Sequence, residues 1–165
     1  MFIGRVRLVI LSYVNNIIFI EFYSKQSFPK GVWMSEPDLC AWENKLPCLA
    51  LRDMNMGIWK GFVGLEEPHP YYGKPLEELL KIPEAMEIFF SVYGGLSGVG
   101  RLPAKYKEFA KNYWWLGIET SHGGDLMPLI KYEGQEKAAN IQTYKDLKFI
   151  RKETNKLANA LFKIK

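Results

Sequence analysis

The chain has 165 residues and contains few of the residue types from which metal and redox sites are built. It has only two cysteines, Cys40 and Cys48, and two histidines, His69 and His122. Because there is no CxxC motif and no second cysteine pair, a zinc ribbon is excluded. The spacing of the two cysteines permits a disulfide, but we favour two buried free thiols, as expected in a reducing cytosol.

Sequence signatures of the common enzyme classes are also missing. The chain contains no GxxxxGK[ST] phosphate loop, no GxGxxG dinucleotide motif, no HExxH and no GxSxG. The stretch SGVG at 97–100 is too short to count as either glycine motif. We therefore expect no cofactor and no bound metal ion, and the sequence leaves open whether the protein is an enzyme.

No apolar run reaches the roughly 18 residues of a membrane-spanning helix. The N-terminal segment RVRLVILSYVNNIIFIEFYSK (5–25) is interrupted by Asn15 and Asn16, and no small-x-small cleavage site follows it. Its two β-branched and aromatic halves, joined by an Asn-Asn turn, predict a β-hairpin. We accordingly expect a cytoplasmic protein with no membrane partner.

The charge balance is mildly basic, with a formal net charge of +4 and a sequence pI of about 8.9. Much of the positive excess lies in residues 143–165. Strong nucleic-acid binders concentrate their charge further, so we interpret this segment as a solvated helix face. A nucleic-acid polymer is therefore not an expected partner.

The clearest predicted element is a helix at the C-terminus, where apolar residues recur at spacings of three and four. Thr143 is predicted to cap its first turn. One face of this helix is formed by Tyr144, Leu147, Ile150, Thr154, Leu157 and Leu161.

Shorter elements are predicted along the middle of the chain. Strands are expected on both sides of a turn at 53–57, at EIFFSVY (87–93) and at YWWLGIET (113–120). Short helices are expected at 75–82 and 103–112. Because strands outnumber helices and no βαβ alternation appears, the predicted fold class is α+β.

The predicted architecture is an antiparallel or mixed β-sheet with an N-terminal hairpin and a C-terminal amphipathic helix packed on it. Residues 25–47 are expected to form a loop-rich connection. We predict a single domain over residues 1–165. It divides into a hairpin extension at 1–30, the sheet and its loops at 31–142, and the C-terminal helix at 143–163.

Most of the side chains that could bind a ligand or act in catalysis lie in three glycine-containing loops. Each of these loops follows a predicted strand. If their strands are neighbours, the loops converge at one end of the sheet. The candidate ligand-binding residues are His69, Tyr71, Tyr72 and Lys74 in loop 1 (PHPYYGK, 68–74), Tyr93, Gly94, Gly95 and Ser97 in loop 2 (VYGGLSG, 92–98), and Glu119, His122 and Asp125 in loop 3 (IETSHGGD, 118–125).

Each residue type in these loops has a chemical use. Tyrosine rings stack on a flat base, Lys74 can meet a phosphate, and paired glycines expose backbone N–H groups to an anion. A histidine in such a loop either makes a structural hydrogen bond, contacts a ligand, or serves as a metal ligand or general base. Strand alternation puts either Trp114 or Trp115 in the core, so at most one lines a pocket, and Trp115 joins the candidates.

Five short motifs in a fixed order resemble a family of small, uncharacterised proteins of bacteriophages and prophages. They are VWMSEPD, PCLALRDMNMGIWKGFVGLEEPHPYYGK, VYGGLSG, WWLGIETSHGGD and YKDLKFIRKETNKLANAL. His69, His122 and Asp125 match the family pattern, whereas Tyr93 stands where members have histidine and Glu119 where they have aspartate. The resemblance implies no established activity, and a three-histidine metal site is incomplete in this chain.

These features lead us to expect a phage-derived protein in the host cytoplasm that binds a small anionic, nucleotide-like ligand. Sequestering that ligand would counter host defence, by analogy only. An alternative is a hydrolase or transferase on a phosphorylated ligand, in which Glu119 or Asp125 orients His122 as general base and His69 stabilises negative charge. A second alternative is a protein-interaction or virion-associated component. A homo-oligomer is left open.

Overall fold

The computed structural model describes residues 8–14, 17–22, 29–103, 106–110, 112–130 and 142–165. Its strands are β1 (Leu8–Val14), β2 (Ile17–Phe22), β3 (Leu39–Asn44), β4 (Leu46–Arg52), β5 (Trp59–Leu65), β6 (Gly98–Gly100) and β7 (Trp114–Glu119). Its helices are a 3-10 turn at Val32–Ser35 and α1 (Leu76–Leu79), α2 (Pro83–Ser91), α3 (Lys107–Ala110) and α4 (Leu147–Leu161). The strands form one sheet in the order β1-β2-β3-β4-β5-β7-β6, and every neighbouring pair is antiparallel.

This architecture confirms the predicted α+β class. The strands β1 and β2 pair as an antiparallel hairpin, although the Asn15-Asn16 turn lies outside the described residues. Helix α4 crosses the sheet directly over Gly61 of β5, where any Cβ would collide with Thr154 of the helix. Within the described ranges, no helix is long and apolar enough to cross a membrane.

Side chains alternate between the two faces of the sheet, and each face has its own core. On the helical face, α2 and α4 pack on strand residues that include Ala50, Trp59, Val63, Leu116 and Ile118. The opposite face carries Leu39, Leu49, Leu51 and Trp115, against which Leu102, Tyr106 and Phe109 pack. Trp114 packs on the helical face, so the two adjacent tryptophans lie on opposite faces, as predicted.

Both cysteines lie in the core of the helical face as free thiols, as predicted. Burial raises the pKa of the Cys40 thiol to about 11 and that of Cys48 to about 12. Because the thiolate is the reactive form, both groups are inert at neutral pH.

The predicted strand at 87–93 is wrong, since the chain is helical up to Ser91. Pro83 occupies the first helical turn, where a missing N–H is tolerated. Ala85 and Phe89, four residues apart, are buried on the inward side, whereas Phe90 is 71% exposed. The apolar run therefore belongs to a one-sided helix and not to a buried strand.

Two further expectations need correction. Residues 25–47 are not only a connection, because β3 lies within them and pairs with both β2 and β4. The cap of α4 is Asp146, whose carboxylate accepts the Phe149 N–H at 2.7 Å, and not Thr143. A carboxylate both caps the helix and complements its dipole. Thr143 instead pairs with loop 3, donating its N–H to the Gly124 carbonyl.

A buried ionic cluster fixes the start of α4 against the sheet. The Arg52 side chain is fully buried, its Nη2 donates to Glu36 Oε2 at 2.8 Å, and its Nε lies 3.3 Å from Asp38 Oδ1. Glu36 Oε1 accepts the Leu147 N–H at 2.7 Å, which satisfies a free amide of the first turn of α4. Tyr144 donates its hydroxyl to Glu36 Oε2 and accepts from Arg52.

Replacing Glu36 by alanine is expected to destabilise the protein by about 3–5 kcal/mol, the usual cost of removing one partner from a buried ion pair. The change would leave Arg52 under-neutralised and the Leu147 N–H without its acceptor. Urea unfolding followed by circular dichroism measures the loss. Glu66→Ala, at an exposed carboxylate, should stay within about 0.5 kcal/mol of wild type. A loss below about 1 kcal/mol for Glu36→Ala would show that the cluster does not hold α4.

Candidate functional site

The three candidate loops do not converge at one end of the sheet. Strands β5 and β7 are antiparallel, with Lys60 opposite Glu119 and Leu65 opposite Trp114. Loop 1 follows the end of β5 and therefore lies at the start of β7, whereas loop 3 follows the end of β7. The strand length separates the two loops by about 17–20 Å. The predicted convergence is wrong, because it presumed that all three loops follow strands that point the same way.

The loop 1 side chains serve the fold. The His69 ring accepts the Tyr71 N–H at Nδ1 and, through Nε2, lies 3.1 Å from the carbonyl oxygen of Leu161 at the end of α4. The Tyr71 ring is buried edge-on against Phe89. Burial raises the pKa of Tyr71, and the charge of Glu84 adds to the rise.

The outer part of loop 1 reaches the segment that precedes β7. Tyr72 donates its hydroxyl to the Asn112 carbonyl and accepts from Arg101. The carbonyl of Lys74 accepts the Trp114 indole N–H at 3.0 Å, while its ammonium lies 4.0 Å from Glu78. Loop 1 therefore connects β5 with β7 and with the end of α4 through hydrogen bonds.

Loops 2 and 3 do meet, on the helical face beside α4. The Tyr93 hydroxyl donates to Asp125 Oδ1 at 2.6 Å, and its ring lies edge-on to both His122 and Phe149. Gly94 has φ +66° and lies under the His122 ring, so any Cβ there would collide with the imidazole. The remaining loop 2 candidates are Gly95, with φ +78°, and Ser97, whose N–H donates to the Gly117 carbonyl.

The Asp125 carboxylate is the centre of this cluster and is 1% exposed. Besides Tyr93 it accepts the His122 backbone N–H at 3.0 Å, and Lys145 lies 4.0 Å away. The His122 ring is close, with Nδ1 3.7 Å from Asp125 Oδ2, but too far for a hydrogen bond. Asp125 therefore organises the loop backbone more than it orients the imidazole.

The residues named for catalysis fall in three separate places. His69 lies at the far end of β5, His122 and Asp125 lie on the helical face, and Glu119 lies on the opposite face. There Glu119 accepts the Ser121 hydroxyl at 2.6 Å and approaches Lys60 to 3.7 Å. Among the described residues, no group of three or more His, Cys, Asp or Glu side chains could hold a metal ion.

A cavity of about 480 Å³ opens on the face opposite α4. Its lining comes from β4, β5, β6, β7, the turn at 53–55, the segment at 101–103 and Tyr106. Trp115 is the one candidate from the sequence that lines it. Sequence reasoning missed the rest, chiefly Phe62, Tyr106, Arg101, Asp53 and Lys60.

Aromatic side chains form part of the cavity lining, and glycines of β6 form another part. A Cβ built on Gly98 would meet nothing within 4 Å, so the absence of a side chain in β6 leaves the space open. Trp115 is 3% exposed, and its indole Nε1 is buried with no hydrogen-bond partner among the described residues. An unpaired buried donor is costly unless something else satisfies it.

One end of the cavity carries an ionic row. Lys60 lies 2.9 Å from Asp53 Oδ2 and 3.7 Å from Glu119 Oε2. Burial alone would raise the pKa of Asp53, but hydrogen bonds from Lys60 and from the N–H groups of Asn55 and Met56 lower it. Burial alone would lower the pKa of Lys60, but Asp53 and Glu119 raise it. Asp53 and Lys60 are thus both charged at neutral pH.

No protein-family model, no curated protein and no solved structure matches this chain. Any function must therefore be argued from the chain's own residues.

Replacing Tyr93 by phenylalanine should cost about 2 kcal/mol near pH 8, because the buried Asp125 carboxylate loses a donor. Burial, helped by the hydrogen bond to Asp125 and its charge, raises the pKa of Tyr93 to about 12. An ordinary tyrosine pKa is about 10, so this stabilisation is present below pH 10 and is lost as the pH rises towards 12.

Urea midpoints at pH 8 and pH 11 test this expectation. The gap between wild type and Tyr93→Phe should narrow at the higher pH. Tyr72→Phe, whose hydroxyl bonds are exposed, is the matched control and should cost less than about 1 kcal/mol at either pH. A gap that stays constant with pH would contradict the assigned role of Asp125.

Proposed function

We propose that the protein binds a small, flat, anionic ligand of nucleotide type in the cavity opposite α4. The observation that carries the proposal is the cavity of about 480 Å³ itself, whose lining combines the aromatic rings of Phe62 and Tyr106 with the exposed Arg101. The proposed site therefore lies on the face opposite α4 and not in the three loops, whereas the ligand class is the one predicted from the sequence.

Size and wall chemistry support a flat ligand. A volume of about 480 Å³ lies in the range of about 300–1,000 Å³ that small-molecule sites occupy. Phe62 and Tyr106 supply flat apolar surfaces, and stacking on such rings does not depend on the identity of the base.

Charge supports an anionic group on the ligand. Of the cationic residues that line the cavity, Arg52 pairs with Glu36 and Asp38, and Lys60 pairs with Asp53 and Glu119. Arg101 is exposed and donates only to the neutral Tyr72 hydroxyl within the described residues. Its guanidinium is therefore not neutralised by a carboxylate of the described residues, and its remaining N–H groups can meet a phosphate or carboxylate.

A biological role follows only from the sequence resemblance. If the chain is a phage protein, tight binding without turnover would sequester a host nucleotide and counter a defence that signals through it. The hydrolase or transferase alternative has less support, because His122, Glu119 and Asp125 do not line the cavity. The interaction alternative is supported by the position of β1 at one edge of the sheet, where a partner strand could pair.

Thermal melting of the purified protein against mono-, di- and cyclic nucleotides tests the proposal. A nucleotide at about 100 times its dissociation constant should add about 2.7 kcal/mol of stability. Gly98→Val should abolish the shift, because the added side chain would fill the cavity without a clash. Gly123→Val, at a glycine in loop 3 that also has open space around it, should keep the shift.

A second variant tests the contact with the anion. Arg101→Gln removes the cation, and it should weaken binding by about ten- to a hundredfold, the worth of one hydrogen bond to a charged group. Absence of a melting shift with every nucleotide, or a shift that survives Gly98→Val, would refute binding in this cavity.

A further inference from the structure

We propose that the outer surface of α2 and α4 is a docking surface for a second copy of this chain. In the resulting homodimer, each copy places the acidic side of its α2 on the lysine-rich side of the other copy's α4. This inference does not depend on the proposed function, because the cavity opens on the opposite face of the sheet and stays accessible in such a dimer.

The two helices lie side by side on the helical face of the sheet. At the end of α2, the Ser91 carbonyl accepts a hydrogen bond from the Lys156 ammonium. Two residues later, the Tyr93 N–H donates to Glu153 Oε2 at 2.9 Å. Both contacts join the end of α2 to the middle of α4, so the outer sides of the two helices form one continuous surface.

The outer side of α2 is apolar and acidic. Ala85 and Phe89 are buried against the rest of the protein, whereas the residues one position further on are not. Met86 is 37% exposed and Phe90 is 71% exposed, and residues four apart share one side of a helix. The segment 76–91 also holds four exposed glutamates against one lysine. An apolar stripe with a charged rim is typical of a protein–protein interface.

The outer side of α4 carries lysines at helical spacing. Lys148, Lys152 and Lys156 recur every four residues, which separates them by about 6 Å along the helix axis. Lys163 follows seven residues later, and all four lysines are exposed. Within the described ranges, Lys148, Lys152 and Lys163 form no ion pair with a carboxylate. Their charge is therefore available to an acidic partner surface.

The two outer sides complement each other in charge. When a twofold axis lies in the plane of the interface and runs between α2 and α4, each α2 faces the other copy's α4, and both contacts form at once. Glutamates then meet lysines, and Phe90 meets lysine stems and ammonium groups. The chain already uses such contacts internally, since the Lys145 ammonium lies 5.1 Å from the centroid of the Phe149 ring. A second copy thus supplies the basic surface that suits the outer side of α2.

Sedimentation velocity at increasing concentrations of the full chain, in low and in high salt, tests the proposal. We expect a monomer–dimer equilibrium that shifts towards monomer in high salt, because salt screens the charge pairs. Glu87→Lys and Lys152→Glu should each weaken dimerisation by about tenfold or more, since like charges then face each other in both halves of the interface. A mixture of the two variants should dimerise like wild type, because in the mixed dimer every such contact again joins a carboxylate to an ammonium.

Two further variants separate the interface from general effects of charge and folding. Glu43→Lys changes the net charge by the same amount as Glu87→Lys, but Glu43 follows Trp42 in β3 and so lies on the face opposite α4. It should leave dimerisation unchanged. Phe90→Ser should weaken the dimer by about tenfold or more and leave the melting temperature of the dilute monomer close to that of wild type, because the ring is already exposed.

The possible outcomes either support or overturn the dimer. A protein that stays monomeric in low salt at about 0.2 mM would overturn it. So would a dimer that Glu87→Lys and Lys152→Glu leave unchanged, because the contact would then lie elsewhere, for example at the β1 edge. Failure of the mixed variants to dimerise, with both folded by circular dichroism, would refute the pairing of α2 with α4. Oligomers larger than a dimer would refute the twofold contact, which closes at two copies.

Discussion

The buried guanidinium of Arg52 is the constraint on which the arrangement of the fold depends. A fully buried cation must be paired, and here its partners are Glu36, which follows the 3-10 turn, and Asp38, which directly precedes β3. Glu36 in turn accepts the first-turn amide of α4 and the Tyr144 hydroxyl. Segments more than a hundred residues apart in sequence therefore meet at one charge, and α4 can begin at only one place on the sheet.

With α4 on one face, the two faces of the sheet are covered unequally. The helical face is covered by α2 and α4, whereas the opposite face is covered mainly by the short segment that carries Leu102, Tyr106 and Phe109. Within the described residues this cover leaves part of the sheet face open, and the glycines of β6 supply no side chains that could fill it. The cavity follows from this imbalance.

Periodicity in the sequence predicts α4, the β4–β5 pair and β7, because each of these elements buries one side against the core. It fails for α2, where the exposed Phe90 extends an apolar run beyond the buried Ala85 and Phe89. The candidate site could not be predicted from the sequence, for a different reason. Its lining residues come from strands that are neighbours only in the order β4-β5-β7-β6, and a hydrophobic pattern carries no information on strand order. Of the lining residues, only Trp115 was predicted, from the alternation of side chains within its own strand.

Loop 3 joins the ionic group around Lys60 to the Tyr93–Asp125 cluster beside α4. Glu119 contacts Lys60 at the cavity, the next residue, Thr120, exchanges hydrogen bonds with the Trp59 backbone, and Asp125 holds Tyr93 beside α4. Trp59 also donates its indole N–H to Glu36. The start of β5 therefore presents the ionic end of the cavity on one face and the Arg52 cluster on the other. Because Lys60 directly follows Trp59, the contacts that order Lys60 and Asp53 also restrain the backbone that positions α4.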